Sequence, residues 1–329
     1  MKLGTIMAAS ALLTLPALAD DYPGVILSND SVTLGVHLPD RERGAYRATR
    51  FDHAGLIHSV RYQGLEYFGP WRNAEDDPNS HEFVNGPADT FNVMGYGESD
   101  SFVRLGVGVL NKPAGETEFR WDHTYEIADF GQWHHLQSED AISFEQVLNG
   151  PDGWAWTYRK TVRLLEDGFR LEYELNNRGQ QAIDLSPESY NHNFYVFGDH
   201  SVDDQYRVEI PYPIQLSAER WGQPQELDPR VHLSNGPDGG RVTLSGAIDG
   251  DTAIYQIFEG SESVSDHQIT VRHISKETGE ERGIHLSMDL PMKQLVVWTN
   301  GTALSPENFI SLVVPAGERR QWQAQYRLF

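Results

Sequence analysis

The stretch FRLEYEL, residues 169–175, decides the fold class because its apolar and charged side chains alternate without a break. Successive side chains of a β-strand point to opposite faces, so the aromatic and aliphatic residues share one face and the charged residues share the other. This pattern is typical of a strand with one buried side. Residues 176–179, which include two asparagines and a glycine, supply a turn directly after it.

The same alternation recurs along the chain, interrupted about every ten residues by Gly, Pro, Asn or Asp. No stretch of twelve or more residues carries the apolar stripe of a helix, and neither an internal repeat nor a long Pro/Ser linker divides the chain. The sequence therefore predicts an all-β fold with one continuous domain over residues 20–329. Further strands are predicted at 206–210, 241–244, 284–290 and 321–328, and one buried on both faces is predicted at 295–298.

The first 19 residues have the pattern of a secretory signal peptide. Lys2 precedes a small and apolar run from Leu3 to Leu18, and Ala17 and Ala19 are the small residues that a signal peptidase needs. The run is too short to span a bilayer comfortably. We expect export to the periplasm, or secretion, with no membrane attachment after the signal is removed.

Composition narrows the possible partners and metal sites. The 329-residue chain has no cysteine, so neither disulfides nor thiolate metal sites can support it in an oxidising compartment. Its formal net charge of −22 disfavours nucleic acid and anionic lipid, although solvation of the surface explains the same acidity. Adjacent His134 and His135 point to opposite faces of a strand and are poor ligands for one metal, so no metal site is predicted.

A strand-like segment in the middle of the chain holds an imidazole between two amides. The strand period places His192 on one face with Tyr190 and Phe194, whereas Asn191 and Asn193 point the other way unless a bulge intervenes. Buried polar groups of this density need partners. Two interpretations stay open, namely a core histidine bound to a carbonyl and a histidine of a functional site.

A second candidate, Glu307, directly follows Pro306 between two apolar segments near the end of the chain. Partial desolvation would raise the pKa of such a carboxyl group toward the range useful for a general base. An acid after a proline is also ordinary turn chemistry. The long polar segment 71–101 adds turn-rich loops, which often line a site.

These segments, in this order, resemble the galactose mutarotase-like superfamily, which includes aldose 1-epimerases and hexose-phosphate epimerases. Residues 191–195, NHNFY, resemble the Asn-His-(Ser/Thr)-Tyr-Phe strand that carries the catalytic histidine of that family. Residues 51–66 resemble the opening hairpin of the family. Residues 296–300, 305–307 and 315–318 resemble its closing segments, and the catalytic glutamate lies in the second of these. It implies a large antiparallel β-supersandwich with the catalytic pair at His192 and Glu307.

The chain departs from the family pattern at one place. Many sugar mutarotases carry a second histidine in a Leu-His-Gly-Gly loop, with an Asn-Arg step before it, and neither occurs in the corresponding part of this sequence. The corresponding stretch is 91–109, where Arg104 is the nearest cation.

The resemblance implies an aldose 1-epimerase-like reaction on a mono- or oligosaccharide, without a metal or an organic cofactor. Glu307 would take the proton of the anomeric hydroxyl while protonated His192 gives one to the ring oxygen. We expect the two groups on opposite sides of one sugar, about 5 to 8 Å apart. The expected substrate-binding residues are Asn191, Tyr190, Trp298 and Arg72, although a surface cation beside Asp76 and Asp77 explains Arg72 equally well.

Two alternatives stay open at this stage. The first is a non-catalytic carbohydrate-binding protein on the same scaffold, because a fold alone does not prove chemistry. The second is a polysaccharide lyase or hydrolase. A hydrolase would need a second acid beside Glu307, such as Asp289 or Glu188. The oligomeric state is left open.

Overall fold

A computed structural model describes residues 22–72, 77–97, 99–186, 188–198, 201–248 and 252–329. The predicted signal peptide at 1–19 lies outside these residues. Within them, the chain forms strands joined by turns, with one 3-10 turn at Val264–Asp266. No helix in these ranges is long and apolar enough to cross a membrane.

The strands are numbered in chain order. They are β1 Gly24–Ser28, β2 Val32–His37, β3 Leu56–Tyr62, β4 Leu65–Glu66, β5 Ala88–Thr90, β6 Val93–Met94, β7 Ser101–Arg104, β8 Gly108–Asn111, β9 Glu126–Asp129, β10 Gln132–Gln137, β11 Ala141–Asn149, β12 Ala155–Leu165, β13 Gly168–Asn177, β14 Ile183–Asp184, β15 Tyr190–His192, β16 Tyr206–Ile210, β17 Glu219–Arg220, β18 Gln223–Pro224, β19 Val231–Gly236, β20 Gly239–Leu244, β21 Ile254–Ser261, β22 Gln268–Ile274, β23 Glu281–Met288, β24 Met292–Thr299, β25 Leu304–Ile310, β26 Val313–Val314 and β27 Arg319–Leu328.

Two sheets dominate the architecture. Ten strands form the larger one, in the order β10-β11-β12-β13-β27-β23-β22-β16-β20-β19, and five form the smaller one, in the order β21-β24-β25-β15-β5. Strands β1 to β4 and β6 to β9 make two four-stranded sheets, and β14-β26 and β17-β18 are two-stranded. Neighbouring strands of the two large sheets pair antiparallel, as expected for an all-β supersandwich.

The strand predictions are confirmed. Residues 169–175 form the centre of β13, where buried and half-buried side chains alternate along the strand. The alternation arises because only one face of β13 packs into the core. The segments predicted at 206–210, 241–244, 295–298 and 321–328 lie in β16, β20, β24 and β27, and the one at 284–290 runs two residues past the end of β23.

The core lies between the two large sheets. Tyr173 of β13 donates to the carboxylate of Asp89 on β5 at 3.0 Å, and Tyr326 of β27 donates to Oδ1 of Asn193 at 3.1 Å. The first bond joins the ten-stranded to the five-stranded sheet, and the second ends on the residue that directly follows β15. The apolar cluster around these bonds includes residues from Leu27 in β1 to Leu328 in β27. One face of the five-stranded sheet is therefore interior, and the other face is left to form a site.

A buried ionic network lies in this interior. Nζ of Lys160 is 2.5 Å from Asp89 and 3.4 Å from Asp52, and the lysine side chain is fully buried. Tyr158 donates to Asp52 at 2.8 Å. Burial raises the pKa of Asp52 to about 7, although Lys160 lowers it. One cation therefore faces two carboxyl groups, and Asp52 titrates close to neutral pH.

Candidate active site

His192 and Glu307 come together on the outer face of the five-stranded sheet. Strand β15 pairs with β25 through Tyr190 opposite Phe309 and Asn191 opposite Asn308. Because side chains alternate along each strand, Tyr190, His192, Glu307 and Phe309 share one face. The predicted face of His192 is confirmed.

The two side chains are in direct contact. Nε2 of His192 lies 3.1 Å from Oε1 of Glu307, and their side chains are 6% and 4% exposed. The expected separation of about 5 to 8 Å across a sugar is therefore wrong for this structure. The physical reason is the register, since neighbouring strands lie about 4.8 Å apart and bring facing side chains together.

A cation that the sequence analysis missed completes the site. Nη2 of Arg50 lies 3.1 Å from Nε2 of His192 and donates to the hydroxyl of Tyr190 at 3.1 Å. The guanidinium lies over the rings of Trp121 at 4.5 Å and Phe51 at 4.9 Å. Its Nε has no hydrogen-bond partner among the described residues, although Arg50 is only 8% exposed. The arginine therefore keeps one buried donor for a further acceptor.

Several bonds fix the backbone that carries Arg50. The hydroxyl of Thr90 donates to the carbonyl of Arg50 at 2.8 Å, and the hydroxyl of Tyr46 accepts the N–H groups of Arg50 and Phe51 at 3.0 Å. Arg104, the cation expected where the family carries its second histidine, donates to Thr90 Oγ1 at 2.7 Å. Arg104 is buried, and its charge also lowers the pKa of Tyr190 at the site.

The partners of His192 assign its tautomer. A guanidinium can only donate, so Nε2 must offer Arg50 a lone pair and the proton of the neutral ring must sit on Nδ1. Nδ1 then donates to Oγ of Ser305 at 3.0 Å. The same Oγ accepts the backbone N–H of Asn193 at 3.0 Å, which holds Ser305 in place.

Burial determines the protonation of the pair. It lowers the pKa of His192 well below the usual value, and the charge of Arg50 lowers it further. Burial raises the pKa of Glu307 to about 8, although Arg50 acts in the opposite direction. At neutral pH the imidazole is therefore neutral and faces a protonated carboxyl group. The proton of the pair therefore sits on Glu307.

Aromatic residues form the walls around the pair. The ring of Phe194 stacks on His192 at 4.4 Å, and Tyr190 and Trp298 meet it edge-on at 5.5 and 6.3 Å. Trp71, at the start of the long polar segment, stacks on Phe194 at 5.0 Å. The structure thus brings Tyr190 and Trp298 to the pair, together with one end of the predicted site loops.

Asn191 lies on the opposite face of the sheet, so its assignment as a sugar contact needs correction. It is 2% exposed, its Nδ2 donates to Asp89, and its Oδ1 accepts from Asn308 at 3.2 Å. The strand period that turns His192 outward turns its neighbour inward. Asn191 therefore belongs to the buried Lys160 network.

Arg72 and Asp289, one of the two proposed second acids, lie elsewhere. Nη1 of Arg72 donates to the carbonyls of Glu82 at 2.8 Å and Val84 at 3.2 Å, which ties this side chain to its own loop. Asp289 is exposed and accepts the backbone N–H of Gln323 at 2.7 Å on the ten-stranded sheet. Arg50, which was not among the expected substrate-binding residues, is the arginine that contacts His192.

Comparisons with known proteins identify the fold. The sequence matches no family model and no curated protein. A putative aldose 1-epimerase from Escherichia coli K12 superimposes with a TM-score of 0.57 at 11% identity, covering 93% of this chain and 98% of that chain. A galactose mutarotase-like protein from Lactobacillus casei gives 0.53 at 16% identity, covering 93% and 100%. A galactose 1-epimerase from Lactobacillus acidophilus gives 0.52 at 10% identity, covering 93% and 94%.

These similarities extend over nearly the whole of each chain, whereas the identities are low. They show that the chain has the galactose mutarotase-like fold, as the sequence segments implied.

Proposed function

We propose that this chain, which has the fold of the galactose mutarotases, interconverts the anomers of a sugar by opening and reclosing its ring. The observation that carries the proposal is the buried contact of His192 with Glu307, in which an imidazole nitrogen lies 3.1 Å from a carboxyl oxygen. An acid and a base that exchange a proton are what ring opening requires.

The reaction needs one proton removed and one supplied. The carboxylate of Glu307 takes the proton of the anomeric hydroxyl, while protonated His192 gives its proton to the ring oxygen. The bond between the anomeric carbon and the ring oxygen breaks, and a free aldehyde forms. Rotation about the first carbon–carbon bond and the reverse steps then give the other anomer. The ionised pair forms when the proton of Glu307 moves to Nε2 of His192 across the 3.1 Å contact, and Nη2 of Arg50 then donates to the hydroxyl of Tyr190 alone.

A pair in contact suits this chemistry. The anomeric oxygen and the ring oxygen are bonded to the same carbon atom, so two adjacent groups can reach both from one side of the sugar. The sugar then lies on one side of the pair, in place of side chains that cover it in this structure. Arg50 carries an Nε donor without a hydrogen-bond partner among the described residues, and Tyr190 and Trp298 offer a hydroxyl and a ring face.

A second candidate function is sugar binding without catalysis. Glu307 is only 3% exposed, so a substrate must displace neighbouring side chains before it can reach the carboxyl group. A scaffold that had lost its activity would tolerate such a closed pair. The absence of the Leu-His-Gly-Gly motif favours the same interpretation.

Anomer equilibration separates the two candidates. We would follow freshly dissolved α-glucose and α-galactose by polarimetry and NMR, with the wild-type chain, Glu307→Gln, and Asp289→Asn as a control. Equilibration faster than buffer that is lost in Glu307→Gln and kept in Asp289→Asn supports the proposal. A wild-type rate equal to buffer, with sugar binding retained, favours the binding protein.

We also propose that residues 1–19 direct export, to the periplasm or the medium. The pattern of Lys2, the apolar run and the closing Ala17-Leu18-Ala19 supports this. Expression of the full chain in a bacterium, followed by fractionation and N-terminal sequencing, tests it. A chain that begins at Asp20 outside the cytoplasm is expected, and an uncleaved chain in the cytoplasm contradicts the proposal.

A further inference from the structure

The site face of the five-stranded sheet extends beyond the catalytic pair. Trp298 on β24 lies opposite Ser305 on β25 and opposite Tyr255 on β21. Because Ser305 and Glu307 are two residues apart on one strand, all these side chains share the face of Glu307. Tyr255 is two strands away from β25, about 10 Å across the sheet. It therefore lies farther from the pair than one sugar ring bound there would cover.

A hairpin adds an exposed tryptophan at this far end. Arg220 of β17 pairs with Gln223 of β18, which leaves Trp221 and Gly222 as a two-residue turn. The ring of Trp221 lies 4.9 Å from that of Tyr255 and is 74% exposed. Arg220 donates to the carbonyl of Tyr255 at 3.0 Å, and its guanidinium lies 5.1 Å from the ring of Trp221. The tryptophan is thus held in place and yet left open to solvent.

The backbone at this turn does not suit a tryptophan. Trp221 and Gly222 have φ values of +52° and +72°, so both occupy the left-handed region. Two-residue hairpin turns of this kind favour Asn-Gly, and a bulky residue at the first position is an outlier. Strained backbone of this sort is concentrated at binding and catalytic sites. The conformation of the turn therefore does not explain a tryptophan at position 221, whereas a role for its exposed indole ring does.

We propose that Trp221 and Tyr255 form a second sugar subsite, which binds a residue of an oligosaccharide whose reducing end lies at Glu307 and His192. Ring opening requires a free anomeric hydroxyl, so only the reducing-end sugar can occupy the catalytic pair. The rest of the chain then extends along Trp298 and Tyr255 to Trp221. Aromatic faces in this row offer the flat apolar contacts on which the C–H faces of sugar rings stack.

The surroundings select a neutral oligosaccharide. Glu219 in the hairpin, Glu226 just after it and Glu259 on β21 are exposed around the aromatic row. The chain as a whole has a formal charge of −22. Arg220 is the cation beside Trp221, but the three acids and the net charge of the chain outweigh it, so anionic sugars are disfavoured and a neutral chain is not.

The subsite rests on the proposed function for its orientation, but its affinity can be measured separately. We would determine dissociation constants by calorimetry for glucose and xylose and for the di- and trisaccharides of the β-1,4-glucan, α-1,4-glucan and β-1,4-xylan series. The wild-type chain should bind the trisaccharide of at least one series tenfold or more tightly than its monosaccharide. In Trp221→Asn this ratio should fall to about one, and in Trp221→Phe most of it should remain.

Trp221→Asn is a sharp test because Asn-Gly fits the turn, so the variant removes the ring without unfolding the hairpin. Leu136→Ala, which truncates a 76% exposed side chain on β10, is the control and should keep the wild-type ratio. A wild-type ratio near one in all three series, or an unchanged ratio in Trp221→Asn, overturns the subsite. If Trp221→Asn loses the affinity ratio but the wild-type chain does not equilibrate anomers, the subsite stands and the isomerase proposal is refuted. If the wild-type chain equilibrates anomers but Trp221→Asn keeps the ratio, only the subsite is refuted.

Discussion

The imidazole Nε2 of His192 and the carboxyl Oε1 of Glu307 lie 3.1 Å apart in a nearly closed environment, so the two residues titrate as one unit. Burial favours the neutral form of each. The pair then carries a single proton over a wide pH range. Chemistry that needs an acid and a base is available only while that proton is present.

The first prediction concerns the pH dependence of anomer equilibration. The rate above buffer should fall as the pH rises through about 8, because Glu307 then loses the proton that the pair needs. On the acid side, the rate should hold until the pH is well below 6.5, because burial lowers the pKa of His192. Polarimetry between pH 5 and 9.5, corrected for buffer at each pH, measures both limits. A rate that still rises at pH 9 would contradict the requirement for a proton on the pair.

The second prediction concerns stability. The pKa of Glu307 is raised from 4.5 to about 8 in the folded chain, so the folded chain holds this proton more tightly than the unfolded chain. The resulting stabilisation is complete below pH 4.5 and is lost as the pH rises toward 8. Glu307→Gln removes this loss and should raise the free energy of unfolding at pH 7 by up to about 3 kcal/mol. Urea unfolding at pH 5 and pH 7.5 checks it, with Asp289→Asn as the exposed control. An equal increase in the free energy of unfolding of Glu307→Gln at both pH values would refute the raised pKa of Glu307.

The third prediction concerns Arg50. Its charge lowers the pKa of both His192 and Glu307, so Arg50→Met should raise both and move the alkaline limit of activity upward. Loss of a fixed donor at the site should also reduce the rate about a hundredfold. Arg50→Lys keeps the positive charge but lacks the planar guanidinium group with its several donors. It should leave the alkaline limit of activity near that of the wild type. Full pH profiles of both variants are the measurement, and an unmoved limit in Arg50→Met would speak against this electrostatic role.

The fourth prediction concerns the buried network. Lys160→Met leaves Asp52 and Asp89 without their cation and should destabilise the chain by about 3 to 5 kcal/mol. Because Lys160 lowers the pKa of Asp52, its removal should raise that pKa and make the loss smaller at pH 5 than at pH 8. Adding Asp52→Asn should restore part of the stability. Urea unfolding at the two pH values tests this, and a loss independent of pH would exclude it.

The strand period predicted the faces of β13 and β15 correctly, because one side of each strand packs into the core. The same period predicted that Asn191 points away from the face of His192. The assignment of Asn191 as a sugar contact therefore contradicted the strand period. His192 and Glu307 came from short motifs whose order the fold preserves. Patterns along the chain thus fixed which side of a strand is available, and a resemblance supplied the chemistry.

Arg50 had no such signal. It lies outside any strand and any motif, and it meets His192 across 142 residues of sequence. The 3.1 Å contact of the pair could not be predicted either, because it depends on the register between β15 and β25. The exposed Trp221 was one of several scattered tryptophans until its turn and its contact with Tyr255 were known.

The order of the five-stranded sheet has a consequence for how the chain reaches its native state. Strand β25 is made near the end of the chain but lies between β24 and β15. Until residues 304–310 are available, β21-β24 and β15-β5 are separate pairs, each with an open edge where β25 belongs. Open strand edges pair readily with other chains, and contacts between distant residues form slowly. We therefore expect partly synthesised or truncated chains to aggregate, and recovery of the site on refolding to follow the slowest phase.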